Sequence, residues 1–216
     1  MKVLILADGS ATRWGNYKGI EKQLIKIDGE TLIDRMIRLC HENGIKKEDL
    51  IVIGKFQNEY ATNTRFENCT RKRELFLEIA KRYHEPFILL NGDCYYTDAI
   101  IKDCIERPVE RWGHWCRLNA NPHTGKRWGE GYIHKVVDVD WWIERLELFN
   151  KNCENGSINL TNDWTINRFL AGWRDIYTHR EDLPNEYDIL WDDETDDFDF
   201  PSDLDTFIRV TGKRFN

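Results

Sequence analysis

Apolar residues fall along this chain in two alternating rhythms. Met1-Lys2-Val3-Leu4-Ile5-Leu6, Leu50-Ile51-Val52-Ile53 and Pro86-Phe87-Ile88-Leu89-Leu90 are short, nearly continuous apolar runs. Such runs, rich in β-branched residues, predict strands buried on both faces. Between them apolar residues recur at helical spacing. Leu32, Ile33, Met36, Ile37 and Cys40 form one stripe, stopped by Gly44; Leu75, Ile79 and Tyr83 form a second, with Thr70 as its cap; Ile100, Ile101 and Cys104 form a third behind Thr97. Asp28-Gly29 reads as a turn and the polar stretch 55–70 as a loop. Strand, helix, strand, helix, strand predicts a parallel sheet with right-handed crossovers. The stretch 8–30 between the first strand and the first helix is long for a compact α/β unit, which marks it as a binding loop or lid.

Past residue 110 the pattern changes. Five of the nine tryptophans lie between 112 and 142, among Gly113, Gly125, Gly129 and Gly131. His114 to Asn119 and Gly131 to Val137 predict two strands, a ribbon laid against the sheet. Asp140 is placed to cap a helix over Trp141–Asn150, and Asn162 and Asp163 to open another carrying Ile166, Phe169, Leu170 and Trp173. Tyr187 to Trp191 reads as a late strand, and Pro201 starts a last helix with Leu204, Phe207 and Ile208. The expected architecture is α/β: a three-layer α/β/α domain with a mostly parallel Rossmann-like central sheet and a small inserted β-ribbon.

Size and charge narrow the functions. At 216 residues the chain suits one domain, and a mean hydropathy of −0.64 marks it as water-soluble, with no apolar run of membrane-spanning length. The first apolar run is too short for an export signal, and six cysteines without a C-x-x-C pair fit reduced thiols in a cytoplasmic setting. The histidines are scattered and no G-x-S-x-G occurs, so a serine, cysteine or zinc hydrolase finds no support. A net charge of −7 argues against a nucleic-acid partner. An acidic chain that handles an anionic nucleotide must concentrate its cations at the site.

One segment meets that demand. Ala7-Asp8-Gly9-Ser10-Ala11-Thr12-Arg13 leaves the first strand directly, and Lys22 follows in Glu21-Lys22-Gln23-Leu24. Small residues let backbone approach a polyphosphate, and an Arg and a Lys neutralise it. The loop is neither a Walker A motif nor G-x-G-x-x-G. Its order resembles the nucleotidyltransferase family with a glycosyltransferase-A-like (GT-A) fold, the sugar-phosphate nucleotidylyltransferases and their MobA-like relatives. That family opens with L-A-x-G-x-[GA]-T-R and continues with P-K-x-L. The matching residues are Leu6, Ala7, Gly9, Ala11, Thr12 and Arg13, then Lys22 and Leu24; Asp8 and Glu21 depart from the pattern. The resemblance implies a GT-A-type sheet and a nucleotide held by Leu6, Ala7, Gly9, Ser10, Ala11, Thr12, Arg13 and Lys22, with Asn68 reaching the base.

Two further segments resemble hallmarks of the same family. Asn91-Gly92-Asp93 ends the third strand as a Gly-Asp does there, which implies Asp93 as a metal ligand. Asp197-Phe198-Asp199-Phe200-Pro201-Ser202-Asp203-Leu204 resembles the late [I/V]-D-T-P-x-D-L segment, with Phe200 in place of Thr. It implies Asp199 as the second metal aspartate and Asp203 as a helix-start acid. The remaining acids between Glu186 and Asp205, a stretch with ten acids and no Lys or Arg, are expected mostly on the surface. By the same resemblance Lys126, Glu130, Asn162 and Asp163 line the acceptor.

The implied reaction transfers a nucleoside monophosphate from an NTP to a small phosphorylated acceptor, a sugar 1-phosphate, with Mg²⁺ as cofactor and pyrophosphate as leaving group. Arg13, Lys22 and Asp93 form the expected catalytic set. Residues 1–216 are expected to be one domain, 1–110 the nucleotide half and 111–216 the acceptor half. Two alternatives stand beside this reading: a GT-A glycosyltransferase, for which Asp138-Val139-Asp140 is a formal D-x-D although a helix cap explains it as well, and a non-catalytic nucleotide-binding module. Base, acceptor and self-association stay open.

Overall fold

The computed structural model describes residues 1–7, 12–15, 17–54, 59–62, 72–159, 163–172 and 184–216. Among these residues the chain forms strands β1 (Lys2–Leu6), β2 (Lys26–Ile27) and β3 (Glu30–Thr31), then helix α1 (Leu32–Glu42), β4 (Leu50–Ile53), β5 (Ala61–Thr62) and α2 (Lys72–Tyr83). There follow β6 (Phe87–Asn91), β7 (Cys94–Tyr95), α3 (Asp98–Glu106), β8 (Trp112–Arg117), β9 (Glu130–Val136), α4 (Val139–Glu154), α5 (Asp163–Leu170), β10 (Asp188–Leu190), β11 (Asp196–Asp197) and α6 (Pro201–Thr211). The described strands build one seven-stranded sheet in the order β10-β8-β9-β6-β1-β4-β5. Every pairing is parallel except those of β9 with β6 and β8.

The apolar runs behave as strands buried on both faces. In β1, Val3 and Ile5 join a core shared with α1, α3 and α6, whereas Leu4 joins the opposite core shared with α2, α4 and α5. In β6, Ile88 and Leu90 divide from Phe87 and Leu89 in the same way, as the two-residue side-chain period requires. The result is the expected three-layer α/β/α arrangement. Thr31 and Thr97 cap α1 and α3 with their hydroxyls. No described helix is long and apolar enough to cross a membrane.

The ribbon differs from expectation. β8 and β9 do not lie against the sheet; they extend it, because β9 pairs antiparallel with β6 and β8 then carries β10. Trp112, Trp115 and Trp142 are accordingly buried as core. Helix α4 starts earlier and runs longer than expected, since the capping carboxylate is that of Asp138, which accepts the Trp141 amide at 3.0 Å. The D-x-D is thereby accounted for by capping. The segment expected as a loop over 55–70 contributes β5 at the sheet edge; 55–58, 63–69 and the expected cap Thr70 lie outside the described residues.

Chain order makes β1 the turning point of the sheet: β4 lies on one side and β6 on the other. A crevice forms beyond the carboxyl ends of strands at such a switch. Here those ends carry Ala7 and Asn91-Gly92-Asp93.

Candidate active site

Gly92 makes the crevice possible. Its amide donates to Leu6 O at 2.9 Å, and a Cβ on it would stand 2.5 Å from that oxygen. Only glycine lets β6 close onto the end of β1 there. The Ala7 amide donates to Ile53 O at 2.7 Å from the other side. Asp93 therefore leaves the sheet beside the end of β1.

The described residues of the stretch 8–30 are tied down piece by piece. Short 3-10 turns span Thr12–Trp14, Tyr17–Gly19 and Lys22–Leu24. The Trp14 indole is buried, and its Nε1 donates to Ile20 O at 3.0 Å. β2 and β3 then form a hairpin whose two turn residues, Asp28 and Gly29, both have positive φ (53° and 88°), as a type I′ turn requires. The C-terminal tail locks the hairpin: the Asp28 amide donates to Arg214 O at 2.7 Å, and the Arg214 amide to Asp28 Oδ1 at 2.9 Å. With its backbone held on both flanks, Lys22 is buried at 6% exposure.

Asp199 reaches the same place from the far end of the chain. β11 pairs antiparallel with β7, Asp197 opposite Cys94 and Asp196 opposite Tyr95, and the Phe198 amide donates to Asp93 O at 3.3 Å. This small ladder sets the two sequence-predicted metal aspartates around one ammonium. Lys22 Nζ lies 2.5 Å from Asp93 Oδ2 and 4.0 Å from Asp199 Oδ1. Arg13 Nη1 lies 2.5 Å from Asp199 Oδ2, with its guanidinium 5.8 Å from the Phe200 ring centre. Burial pulls the Lys22 pKa down, but Asp93, Asp197 and Asp199 outweigh it and the net shift is upward. Lys22 stays charged. Asp203, the expected helix-start acid, accepts the Phe200 amide at 2.9 Å at the N-terminus of α6.

A second ammonium stands alongside. Lys126 Nζ contacts Asp197 Oδ1 directly, Glu130 Oε1 at 3.2 Å and Asp196 Oδ1 at 3.8 Å. Trp128, exposed at 38%, donates its Nε1 to Glu130 at 2.9 Å. The loop bearing Lys126 is clipped to the acidic segment by Asn121. Its amide nitrogen donates to Asp193 O at 3.1 Å and Thr195 O at 3.2 Å, and the Thr124 hydroxyl donates to Asp196. Burial works against the Lys126 charge, yet Asp197, Glu130 and Asp196 prevail and raise its pKa. Burial also pushes up the carboxyls of Asp197 and Glu130; the nearby Glu130 adds to the rise at Asp197, and Asp199 adds to that at Glu130.

Asp196 and Asp197 correct the expectation that the other acids of this run are surface groups. They are 2% and 9% exposed, because β11 folds under the loop carrying Lys126. The signal was present as two acids just before Asp199, but an acidic run reads the same whether solvated or paired.

The carboxylates also decide what the site can hold. Ligand oxygens of Glu130, Asp197 and Asp199 lie within 4.8 Å of one another, with Asp93 across Lys22 from Asp199. Several carboxylates facing each other offer hard oxygen donors and mutual repulsion that a divalent cation relieves, so the donor set fits Mg²⁺. Among the other sequence-predicted residues, Leu6 ends β1, Ala7 follows it fully buried, and Thr12 opens the first 3-10 turn. Gly9, Ser10, Ala11, Asn68 and Asn162 lie outside the described residues. Asp163 begins α5, but its side chain is outside the description.

The sequence matches no family model and no curated protein. Solved structures match across nearly the whole chain. A protein described as a glucose-1-phosphate thymidylyltransferase from Bacillus anthracis superposes with a TM-score of 0.66 at 14% identity, covering 100% of this chain and 97% of its own. A CTP:phosphocholine cytidylyltransferase from Streptococcus pneumoniae gives 0.58 at 14% identity, covering 97% and 98%. An inositol-1-phosphate CTP transferase from T. maritima gives 0.52 at 13% identity, covering 97% and 95%. The chain thus has the α/β fold of these nucleotidyltransferase structures.

Proposed function

We propose that this protein is a Mg²⁺-dependent nucleotidyltransferase that moves a nucleoside monophosphate from an NTP to a sugar 1-phosphate, releasing pyrophosphate and forming a nucleotide sugar. The observation that carries this reading is the convergence of Arg13, Lys22, Asp93 and Asp199, from four separate segments, on one point beyond β1 and β6. The activities named for the structural neighbours, on glucose 1-phosphate, phosphocholine and inositol 1-phosphate, all involve phosphorylated acceptors and support the same class. NTP and acceptor are the partners in this reading, which gives no part to nucleic acid or membrane and takes the enzyme as cytoplasmic.

The chemistry needs no protein nucleophile, because the acceptor already carries an anionic oxygen. Two anions must be held in line against their repulsion, and the charge that builds on the phosphoryl oxygens must be neutralised. Arg13 and Lys22 meet the triphosphate. Lys126 meets the acceptor phosphate, Glu130 an acceptor hydroxyl, and Trp128 offers an aromatic face beside them. Asp93 and Asp199 would hold Mg²⁺, which when bound supplies charge neutralisation for the transferring phosphoryl group and the leaving pyrophosphate. On this reading residues 1–110 form the nucleotide half and 111–216 the acceptor half of one domain.

The test is a pyrophosphate-release screen of the four NTPs and dTTP against sugar phosphates, with phosphocholine and inositol 1-phosphate included. Release with one pair, abolished in a folded Asp93→Ala variant, is the expected result. No release with any pair, or undiminished release in the variant, would overturn the proposal.

A further inference from the structure

The two cations placed to meet a triphosphate are each engaged by a carboxylate placed to meet a metal. Lys22 Nζ bridges Asp93 at 2.5 Å and Asp199 at 4.0 Å, and Arg13 Nη1 lies 2.5 Å from the other oxygen of Asp199. The Lys22 side chain is 7% exposed, so water screens it little, whereas that of Asp93 is 30% exposed and open to an incoming ion. We propose that Lys22 is an exchangeable internal counter-ion: it occupies Asp93 and Asp199 in the free protein, and a divalent cation and a polyphosphate displace it together, each binding poorly alone. This rests on the metal-and-triphosphate reading given above.

Binding at this site is a charge exchange. A cation arriving alone at Asp93 leaves the Lys22 ammonium facing a new positive charge in a weakly screened site. A polyphosphate arriving alone must draw Lys22 away from Asp93 while facing the carboxylates of Asp93, Asp197, Asp199 and Glu130. When both arrive, carboxylate pairs with metal and ammonium with phosphate, so every charge keeps an opposite neighbour. By linkage the coupling is reciprocal, so the factor by which polyphosphate tightens the metal is the factor by which the metal tightens polyphosphate.

Lys22→Met separates the two roles because it should move the two affinities in opposite directions. Mn²⁺ binding to the full chain is followed by electron paramagnetic resonance without any polyphosphate. Inorganic tripolyphosphate binding is followed by calorimetry in EDTA. Lys22→Met should bind Mn²⁺ about tenfold more tightly or better, and tripolyphosphate about tenfold more weakly, while Lys22→Arg keeps wild-type Mn²⁺ affinity. Thermal melts confirm that each variant is folded, and Lys22→Gln repeats the test if Lys22→Met is not. Unchanged or weaker Mn²⁺ binding in the folded neutral variant would overturn the inference. Asp93→Asn and Asp199→Asn in the same titration separate its failure from that of the parent reading. If they leave Mn²⁺ affinity intact, the metal assignment itself falls; if they weaken it and Lys22→Met does not tighten it, only the counter-ion role falls.

Discussion

Gly92→Ala should damage both stability and turnover, because its methyl group has nowhere to go. The added Cβ would meet Leu6 O at 2.5 Å, Leu6 C at 3.0 Å and Ala7 Cα at 3.1 Å. All three atoms are backbone, so no rotamer change relieves the contact. Restoring an ordinary separation opens the β1–β6 junction by about 0.9 Å, and it strains the bond from the Gly92 amide to Leu6 O. Overpacking of this kind costs about 1–3 kcal/mol. Asp93 is the next residue and moves with the junction, away from Lys22. A misplacement of about 1 Å in a reacting constellation costs on the order of a hundredfold in rate. Urea denaturation reads the first effect and pyrophosphate release the second. A variant with both the wild-type midpoint and wild-type turnover would refute the claim that glycine is required by the close approach of β6 to β1.

Two other perturbations test separate parts of the structure. Asn121→Ala strips the carbonyls of Asp193 and Thr195 of a buried donor and should cost about 1–3 kcal/mol in urea melts; an unchanged midpoint would show that the clip is dispensable. Burial, helped by His114 and Lys72, depresses the pKa of His134 well below its usual value, so the unfolded chain binds a proton there that the native state refuses. The stability this contributes is present above about pH 6.5 and is lost as pH falls toward the folded value, about 1.4 kcal/mol per pH unit. His134→Gln should therefore show a shallower loss of stability between pH 6.5 and 5.5 than the wild type, and parallel profiles would contradict the assignment.

The sequence alone determined the elements whose code is local. The apolar runs of β1, β4 and β6 admit only strands buried on both faces, and the cap Thr97 acts within three residues of itself. Asp28-Gly29 makes its turn because those two residues tolerate positive φ. Arg13, Lys22, Asp93 and Asp199 were legible because each sits at a fixed place in a short ordered motif. Tertiary structure decided the rest. Whether β8 and β9 lie on the sheet or within it depends on pairing with β6, which strand pattern does not encode. The roles of Asp196, Asp197 and Asn121 depend on a register between β11 and β7, about one hundred residues apart in the chain. A carboxylate in an acidic run looks the same in sequence whether it faces water or a buried ammonium. Only folding brings Lys126 to Asp197 and Lys22 to Asp93, and the charge of such groups is settled by neighbours that are distant along the chain.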